Sequence, residues 1–262
     1  MIRIDQHPTH WTVWMDAPAT RNALTADMVK ALHDIVQDTP HHPSLRALVL
    51  RGAGGQFCAG GDFASFQDMM ATPAPSQGDD PIAVSNRAFG HLLDTLRECP
   101  VMTLAVVQGA AMGGGCGLAA ACDVVIADDT AVMATPELTL GLPPAQIAPF
   151  LQRRMGHARA MQWLMRGTAR FDVTRAVAHG LVDEQVPDVE AALQDWTQHW
   201  QRAEPAALRA TVQILRQARS SQSLTRTLDF AAQQFAQSLR SGTASEGLAA
   251  RQAKRPPRWA KP

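Results

Sequence analysis

The stretch Gly109–Gly117, with the sequence GAAMGGGCG, constrains this chain more than any other segment. It follows an apolar run at 101–107, which predicts a buried strand, and precedes small residues at 118–121, which predict the start of a helix. Glycines at such a junction let backbone N–H groups approach a ligand closely, because no Cβ stands in the way. The helix N-terminus adds unpaired donors and a partial positive charge. The segment can therefore hold an anion, which is either a bound group such as phosphate or an enolate oxygen that forms during a reaction.

A second glycine-rich segment has the same layout. The run Ala47–Leu50 predicts a buried strand, and residues 52–62, GAGGQFCAGGD, follow it. Each segment could present one backbone N–H, and two donors that converge on one oxygen form an oxyanion hole. The alternative is that both segments are only tight turns. Strand, glycine segment and helix occur in this order at 47–70 and again at 101–121, and this repetition favours the α/β class.

The rest of the chain predicts further strands first and helices later. The first half predicts two short strands within 2–15, a helix over 26–38 capped by Thr25, a surface loop at 72–81, a helix over 82–98 and a strand at 123–127. The second half predicts helices near 144–155, 157–166, 172–179, 188–202, 204–219 and 223–240, with a short strand at 182–186. We expect two parts, a core at 1–190 that carries the site and a helical C-terminal region at 191–262.

Composition excludes several classes of protein. The chain has 262 residues, of which 46% are hydrophobic, and a formal net charge of zero, which argues against a general binder of nucleic acid or membrane surfaces. Its four cysteines are too few and too scattered for a disulfide framework, and their spacing does not match zinc sites. The N-terminus lacks the apolar segment of a secretory signal, and no apolar run approaches the roughly 20 residues of a membrane span. We expect a cytoplasmic protein with free thiols and no metal.

The run Gly115–Ala120 also fits the dinucleotide-binding pattern G-x-G-x-x-G/A. The first glycine of that pattern should follow the strand directly, whereas residues 108–114 separate Gly115 from the predicted strand. An acidic residue, Glu137, lies at about the required distance, but residues 123–127 already read as a strand where the pattern needs a helix. We therefore expect no nicotinamide cofactor.

Glu137 is the candidate acid or base. It lies among apolar residues in TPELTLG at 135–141, and apolar surroundings raise the pKa of a carboxyl group, which suits proton transfer near neutral pH. The alternative is an acid at a helix N-terminus, where the helix dipole favours negative charge. The sequence has neither a G-x-S-x-G nor an H-E-x-x-H motif. His91, on the helix predicted over 82–98, could line a site, although a structural histidine is the simpler interpretation.

Together these residues resemble the crotonase family, which is the enoyl-CoA hydratase/isomerase superfamily. The resemblance extends from about residue 10 to about residue 186. Its motifs are RNAL at 21–24, FCAGGD at 57–62, the run 109–117, ACD at 121–123, PE at 136–137 and AHGLV at 178–182. The resemblance implies a β-β-α spiral core with a C-terminal helical trimerisation region, and assembly as a homotrimer or homohexamer.

The resemblance also implies the site. Its substrate would be an acyl-CoA thioester whose enolate lies between two backbone N–H groups, and by position these belong to Gly61 and Gly114, with Glu137 as the acid/base. Ala59 falls where the family's backbone meets the CoA adenine. The positions expected to contact substrate are Ala59, Asp62, Gly113 and Gly117. Coenzyme A arrives as part of the substrate, so no separate cofactor, nucleic acid or membrane partner is implied.

Two departures from the family pattern bear on the reaction. Typical hydratases of the family have a first glutamate where this chain has Gly117, and two carboxylates can divide the holding of water and the delivery of a proton. One carboxylate can shuttle a proton between two carbons, as in an isomerase. The usual Pro-Gly-x-Gly-Gly-Thr is replaced by PPAQIAPF at 143–150, which resembles bacterial hydratases of branched glutaconyl-CoA esters, such as 3-methylglutaconyl-CoA and isohexenylglutaconyl-CoA. In such substrates a carboxylate of the substrate, or another residue, could help to position water.

We therefore expect an enoyl-CoA hydratase that acts on a 2-enoyl-CoA, with a branched acyl chain as an option. Two alternatives stay open, a Δ3-Δ2 enoyl-CoA isomerase that works with one glutamate and a non-catalytic relative that only binds acyl-CoA.

Overall fold

The computed structural model describes residues 1–62, 77–78, 80–166 and 169–220, together with 228, 246–247, 249–250, 253 and 255–260. Most of the surface loop predicted at 72–81 and almost all of the helix predicted at 223–240 lie outside the described residues. The described helices are α1 (Ala26–Asp38), α2 (Pro81–Arg97), α3 (Gly114–Ala121), α4 (Ala148–Met155), α5 (His157–Met165), α6 (Val173–His179), α7 (Val189–Arg202) and α8 (Pro205–Ser220).

The larger sheet has the strand order β1-β2-β3-β4-β6-β9. Its strands are β1 (Ile2–Gln6), β2 (His10–Met15), β3 (Ala47–Gly52), β4 (Met102–Val107), β6 (Val124–Ala127) and β9 (Glu184–Gln185). The first two strands pair antiparallel, and the remaining neighbours pair parallel. Every residue of β3 is buried, as expected for a parallel strand that is covered on both faces.

The smaller sheet consists of β5 (Ala110–Met112), β7 (Val132–Ala134) and β8 (Phe171–Asp172). β7 pairs parallel with β5 and antiparallel with β8. Cys58 forms an isolated parallel bridge with Ala111, so the segment after β3 joins the edge of this sheet. The prediction of a continuous glycine loop at 109–117 is wrong in one respect, since β5 lies inside it and α3 already begins at Gly114.

The order of elements produces a spiral. β3 of the larger sheet is followed by the Cys58 bridge of the smaller sheet, and β4 is followed by β5 and α3 in the same way. β6 and β7 repeat the step, and a 3-10 helix at Pro136–Leu140 follows them. This is the predicted β-β-α spiral, in which each turn passes from the larger sheet to the smaller one.

The helices cover both faces of the larger sheet. Thr25 caps α1 as predicted, because its Oγ1 accepts a hydrogen bond from the Met28 N–H at 3.2 Å. On the opposite face Val189, Leu193 and Trp200 of α7 pack against the buried side chains of β3, β4 and β6. The boundary predicted at residue 190 stays a prediction. All four cysteines are buried free thiols.

Candidate functional site

The two glycine segments lie side by side. The Cys58 N–H donates to the Ala110 carbonyl at 2.8 Å, and the Met112 N–H donates to the Cys58 carbonyl at 2.9 Å. A Cβ at Gly60 would lie 2.9 Å from the Met112 carbonyl oxygen, and Gly60 has a φ of +93°, a conformation that favours glycine. Glycine at 60 therefore lets the first segment pass close to the second.

Leu24 links the two predicted oxyanion donors. Its N–H donates to the Gly60 carbonyl at 2.7 Å, and its carbonyl accepts from the Asp62 N–H at 3.2 Å, so that Leu24 pairs with Gly61 in a short parallel bridge. The Leu24 Cδ1 lies 2.8 Å from the point that a Cβ at Gly114 would occupy. The structure therefore brings Gly61 and Gly114 to the same residue, Gly61 to the Leu24 backbone and Gly114 to the Leu24 side chain.

Neither donor is used inside the fold. The N–H groups of Gly61 and Gly114 donate to no acceptor in the described part of the chain, and both residues are partly exposed. Gly114 is the first residue of α3, where the helix leaves N–H groups unpaired and contributes a partial positive charge. Both N–H groups are therefore available to donate hydrogen bonds to a ligand oxygen that gains negative charge.

Glu137 reaches the same place from the 3-10 helix after β7. Its Oε1 lies 2.6 Å from the point that a Cβ at Gly113 would occupy, so the carboxyl group rests against the residue that precedes α3. The Gly113 N–H donates to the Ala134 carbonyl at 2.8 Å, which ties this junction to the end of β7. The predicted acid/base thus lies against the residue that immediately precedes the predicted donor Gly114.

The environment of Glu137 favours its protonated form. Burial raises the pKa of the Glu137 carboxyl above its ordinary value of 4.5, and a hydrogen bond from its own backbone N–H offsets part of this effect. The Glu137 Oε2 and the nearby Thr135 Oγ1 are buried polar atoms without a hydrogen-bond partner in the described structure. A buried carboxyl oxygen with no partner is costly unless a ligand completes it, so Glu137 is suited to proton transfer with a bound molecule.

Ala59 and Asp62 lie in the same segment as Gly61. The Ala59 N–H donates to the carbonyl of Arg21, the first residue of the RNAL motif, at 2.9 Å. Ala59 is partly exposed. The predicted contacts of Ala59, Asp62 and Gly113 with substrate stay predictions. His91 is exposed on α2, and both interpretations of this residue stay predictions.

Gly117 has a different neighbourhood. A Cβ there would lie 2.4 Å from the Ile147 Cγ2 and 3.4 Å from the Leu93 Cδ1, and both of these residues are almost completely buried. The direction in which a longer side chain would leave residue 117 is therefore filled by apolar groups. The prediction that Gly117 contacts substrate stays untested. The side chain of Ile147 occupies the space into which a side chain at residue 117 would extend.

Sequence reasoning missed the residues that close this site. Leu24, Phe89 and Ile147 each touch a glycine of α3, and Phe89 Cζ lies 3.3 Å from the Cβ position of Gly114. Ile147 belongs to the run PPAQIAPF, whose departure from the family pattern indicated a difference in this segment. Its contact with Gly117, thirty positions earlier in the chain, could be recognised only from the folded structure.

The dinucleotide alternative does not fit the structure. Gly115 and Gly117 lie inside α3, and β5 separates this helix from β4, whereas the pattern needs its first glycine in the turn directly after the strand. Within the described residues, no cluster of three or more His, Cys, Asp or Glu side chains could hold a metal ion. A search of the same residues finds no helix with the length and apolar character to cross a membrane.

Comparisons with known proteins identify similar sequences and solved structures. Residues 10–262 match a family model described as enoyl-CoA hydratase/isomerase. The chain is 31% identical over 258 residues to the enoyl-CoA isomerase/hydratase fer4 of Mycosarcoma maydis, and the match covers 93% of this chain and 89% of that protein.

Two solved structures are similar over 99% of both chains. An enoyl-CoA hydratase/isomerase from Marinobacter aquaeolei gives a TM-score of 0.94 at 35% identity. AtuE of Pseudomonas aeruginosa gives a TM-score of 0.91 at 37% identity.

Proposed function

Because the chain belongs to the enoyl-CoA hydratase/isomerase family, we propose that it is an enoyl-CoA hydratase acting on a 2-enoyl-CoA thioester. Coenzyme A is part of the substrate in this proposal, and no other cofactor takes part. The observation that carries it is the partly buried Glu137 carboxyl group, whose Oε2 has no hydrogen-bond partner in the described structure, against Gly113 and next to the unused N–H of Gly114.

The proposed mechanism uses the two donors first. The thioester oxygen accepts hydrogen bonds from the N–H groups of Gly61 and Gly114, which stabilise the negative charge that develops when the double bond is attacked. Glu137 takes a proton from water while the water oxygen bonds to C3, and the electron pair of the double bond moves to form the enolate. Glu137 then delivers the proton to C2, so that the net change is the addition of water.

Isomerisation is the second candidate, and the contact between Gly117 and Ile147 favours it. The place of a second carboxylate is filled by apolar groups, which leaves Glu137 as the acid/base without a partner to hold water. In this reaction Glu137 removes a proton from C2 of a 3-enoyl-CoA and returns it to C4, and the double bond moves from C3–C4 to C2–C3. The same two N–H donors stabilise the enolate in between.

A third candidate is a relative that binds acyl-CoA without catalysis. Its motivation is the glycine at position 117. The presence of Glu137 argues against this candidate. Burial raises the pKa of its carboxyl group, and its Oε2 has no hydrogen-bond partner in the described structure. A buried carboxyl group without a function would only destabilise the fold.

An absorbance assay at the conjugated enoyl-thioester band tests the proposal. The purified protein is given crotonyl-CoA, 3-methylglutaconyl-CoA and a 3-enoyl-CoA, with the Glu137→Gln variant as the control for contaminating activity. Loss of absorbance with a 2-enoyl ester supports the hydratase, and a larger loss with the methylglutaconyl ester supports a branched substrate. A gain with the 3-enoyl ester alone would replace the hydratase by the isomerase, and binding without turnover on all three would favour the non-catalytic relative.

Two further parts of the proposal concern the protein in solution. We propose a homotrimer or homohexamer, which sedimentation equilibrium would distinguish from a monomer. We also propose that the protein works in the cytoplasm, where its acyl-CoA substrates would be dissolved.

A further inference from the structure

A cavity at the C-terminal end of α3 is lined by arginines. Its volume is about 140 Å³, which is room for a small anion together with water. Ala120, in the last turn of α3, forms part of its wall and lies roughly 9 Å along the helix axis from Gly114, at the other end of α3. None of the candidate site residues lines it. We call its four guanidinium groups the arginine cluster, and they belong to Arg97, Arg153, Arg154 and Arg219.

Two members of the arginine cluster have partners inside the fold. The Arg154 guanidinium donates to the Cys122 carbonyl at 2.8 Å and forms an ion pair with Asp183. Arg97 forms an ion pair with Glu98 at 2.6 Å. The fold therefore uses the charges of Arg154 and Arg97, whereas those of the other two members are less completely neutralised.

Positive charge exceeds negative charge around the cavity. Arg153 is exposed and forms no ion pair with any residue in the described ranges, and Arg219 shares the Glu98 carboxylate with Arg97, at 3.4 Å. Among the described residues that line the cavity, Asp123 is the one carboxylate. Burial lowers the pKa of the Arg219 guanidinium and the charge of Arg97 lowers it further, although Glu98 opposes this. An anion beside Arg219 would relieve this repulsion between like charges.

A buried guanidinium next to the cavity lacks acceptors. The Arg216 side chain is 8% exposed and lies about one turn before Arg219 on α8. Its Nη2 donates to the Asp123 Oδ2 at 3.0 Å, whereas its Nε and Nη1 are buried and have no hydrogen-bond partner in the described structure. Unpaired donors on a buried charged group are costly. The side of the cavity that Asp123 forms therefore has more buried donors than acceptors.

We propose that this cavity binds a free tetrahedral oxyanion such as phosphate, with Arg153 and Arg219 as its principal ligands. The arginine cluster approaches the cavity from three helices, α2, α4 and α8. An anion whose oxygens point in several directions can accept from all of them, and the guanidinium group pairs well with such oxygens. The bound anion would connect α8 to the core. This site is separate from the proposed substrate site and does not depend on the proposed reaction.

Titration calorimetry with inorganic phosphate tests the inference, and potassium chloride at equal ionic strength controls for screening. The unaltered protein should bind phosphate saturably, and Arg153→Gln and Arg219→Gln should each lower the affinity about tenfold. Because Arg153 is exposed, Arg153→Gln should fold even if the loss of the Arg219 hydrogen bond to the Arg97 carbonyl disturbs α8.

Arg166→Gln is the matched control. Arg166 is exposed at the end of α5, does not line the cavity and forms no ion pair within the described part of the chain, so this variant should keep the phosphate affinity of the unaltered protein. Absence of saturable binding, or equal affinity in Arg153→Gln and the unaltered protein, would overturn the inference.

Two further results would assign the cavity to a different occupant and overturn the inference. Loss of phosphate binding in the presence of saturating coenzyme A would place the anion in the substrate site. Weaker self-association of Arg153→Gln in sedimentation, with no binding of phosphate by any of the proteins, would assign the cavity to a carboxylate of a second copy of the chain.

Discussion

The two turns of α3 differ in the side chains that pack against them, although the glycines compared lie on one face of the helix. At the first turn the Glu137 carboxyl group, whose Oε2 has no hydrogen-bond partner in the described structure, lies against Gly113, and the neighbouring Gly114 N–H is not used as a donor in the described residues. At the second turn, roughly 5 Å further along the axis, Gly117 meets the methyl groups of Ile147 and Leu93. The first turn therefore has a polar group with an unpartnered oxygen beside the apolar contacts of Leu24 and Phe89, whereas the second turn has apolar contacts alone. The direction of a side chain at residue 117 is occupied by Ile147 and Leu93, so our proposal places the chemistry at the first turn.

The largest effect is expected from Glu137→Gln. The proton carrier is lost while shape is conserved, so turnover on the best acyl-CoA should fall by about 10²- to 10⁴-fold. Steady-state kinetics give the rate, and calorimetry with butyryl-CoA should give an affinity close to that of the unaltered protein. Glu184→Gln, at an exposed glutamate of β9, is the matched control and should keep full activity. Retained turnover in Glu137→Gln would remove this residue from the mechanism.

A pair of variants at Gly114 separates the N–H donor from the space around it. Gly114→Pro deletes the donor at the first position of α3, where proline is tolerated in a helix, and should lower the rate by about 10²- to 10³-fold. Gly114→Ala keeps the donor and adds a Cβ that meets the Leu24 Cδ1 at 2.8 Å and Phe89 at 3.3 Å, so it should lower the rate less. Equal losses in both variants would mean that crowding, rather than the N–H, explains them.

A glutamate introduced at residue 117, in the second turn of α3, should destabilise the protein rather than supply a second carboxylate to the site. Gly117→Glu forces a carboxylate into the space of Ile147, and we expect the free energy of unfolding to fall by about 3 kcal/mol or more, without a gain in hydration rate. Denaturant unfolding measures the loss. Adding Ile147→Ala to Gly117→Glu should recover part of the stability, because it clears the atoms nearest to the new side chain. A stable and more active Gly117→Glu variant would show that the second turn is not closed.

The smallest effect is expected in how the free energy of unfolding depends on pH through the Glu137 carboxyl group. The pKa of Glu137 is raised in the folded state, so native protein holds this proton more tightly than the unfolded chain does. The resulting penalty is absent below the ordinary pKa of 4.5, grows as pH rises toward the folded pKa and is complete above it. Unfolding curves between pH 4 and pH 8 should therefore show that Glu137→Gln gains stability relative to the unaltered protein as pH rises. A constant difference across this range would contradict the raised pKa.

The fold could be predicted from the sequence where the signals are local. Thr25 and the apolar spacing after it gave α1 with its observed bounds, and the apolar runs gave β3, β4 and β6. β7 and β8 were missed, because they have three and two residues and depend on pairing with distant strands rather than on their own propensity.

The roles of the candidate site residues stay predictions, and only their positions in the fold can be compared with the sequence. Gly61, Gly114 and Glu137 follow from motifs, and the structure places Gly61 and Gly114 around Leu24, with Glu137 against Gly113. The contact of Gly117 with Ile147 could not be predicted, since no local pattern records which side chain fills a vacated space.

The position of Leu24 has a consequence for how activity is lost. The two donors are carried by separate segments, and both are held against a residue near the N-terminal edge of the fold. Opening of residues 16–25, between β2 and α1, would withdraw Leu24 from both donor segments while the strands of the larger sheet stay folded. Such local opening needs less free energy than unfolding of the whole domain. Catalytic rate therefore reports on the docking of the N-terminal segment, and mild denaturant should inactivate the protein before its core melts.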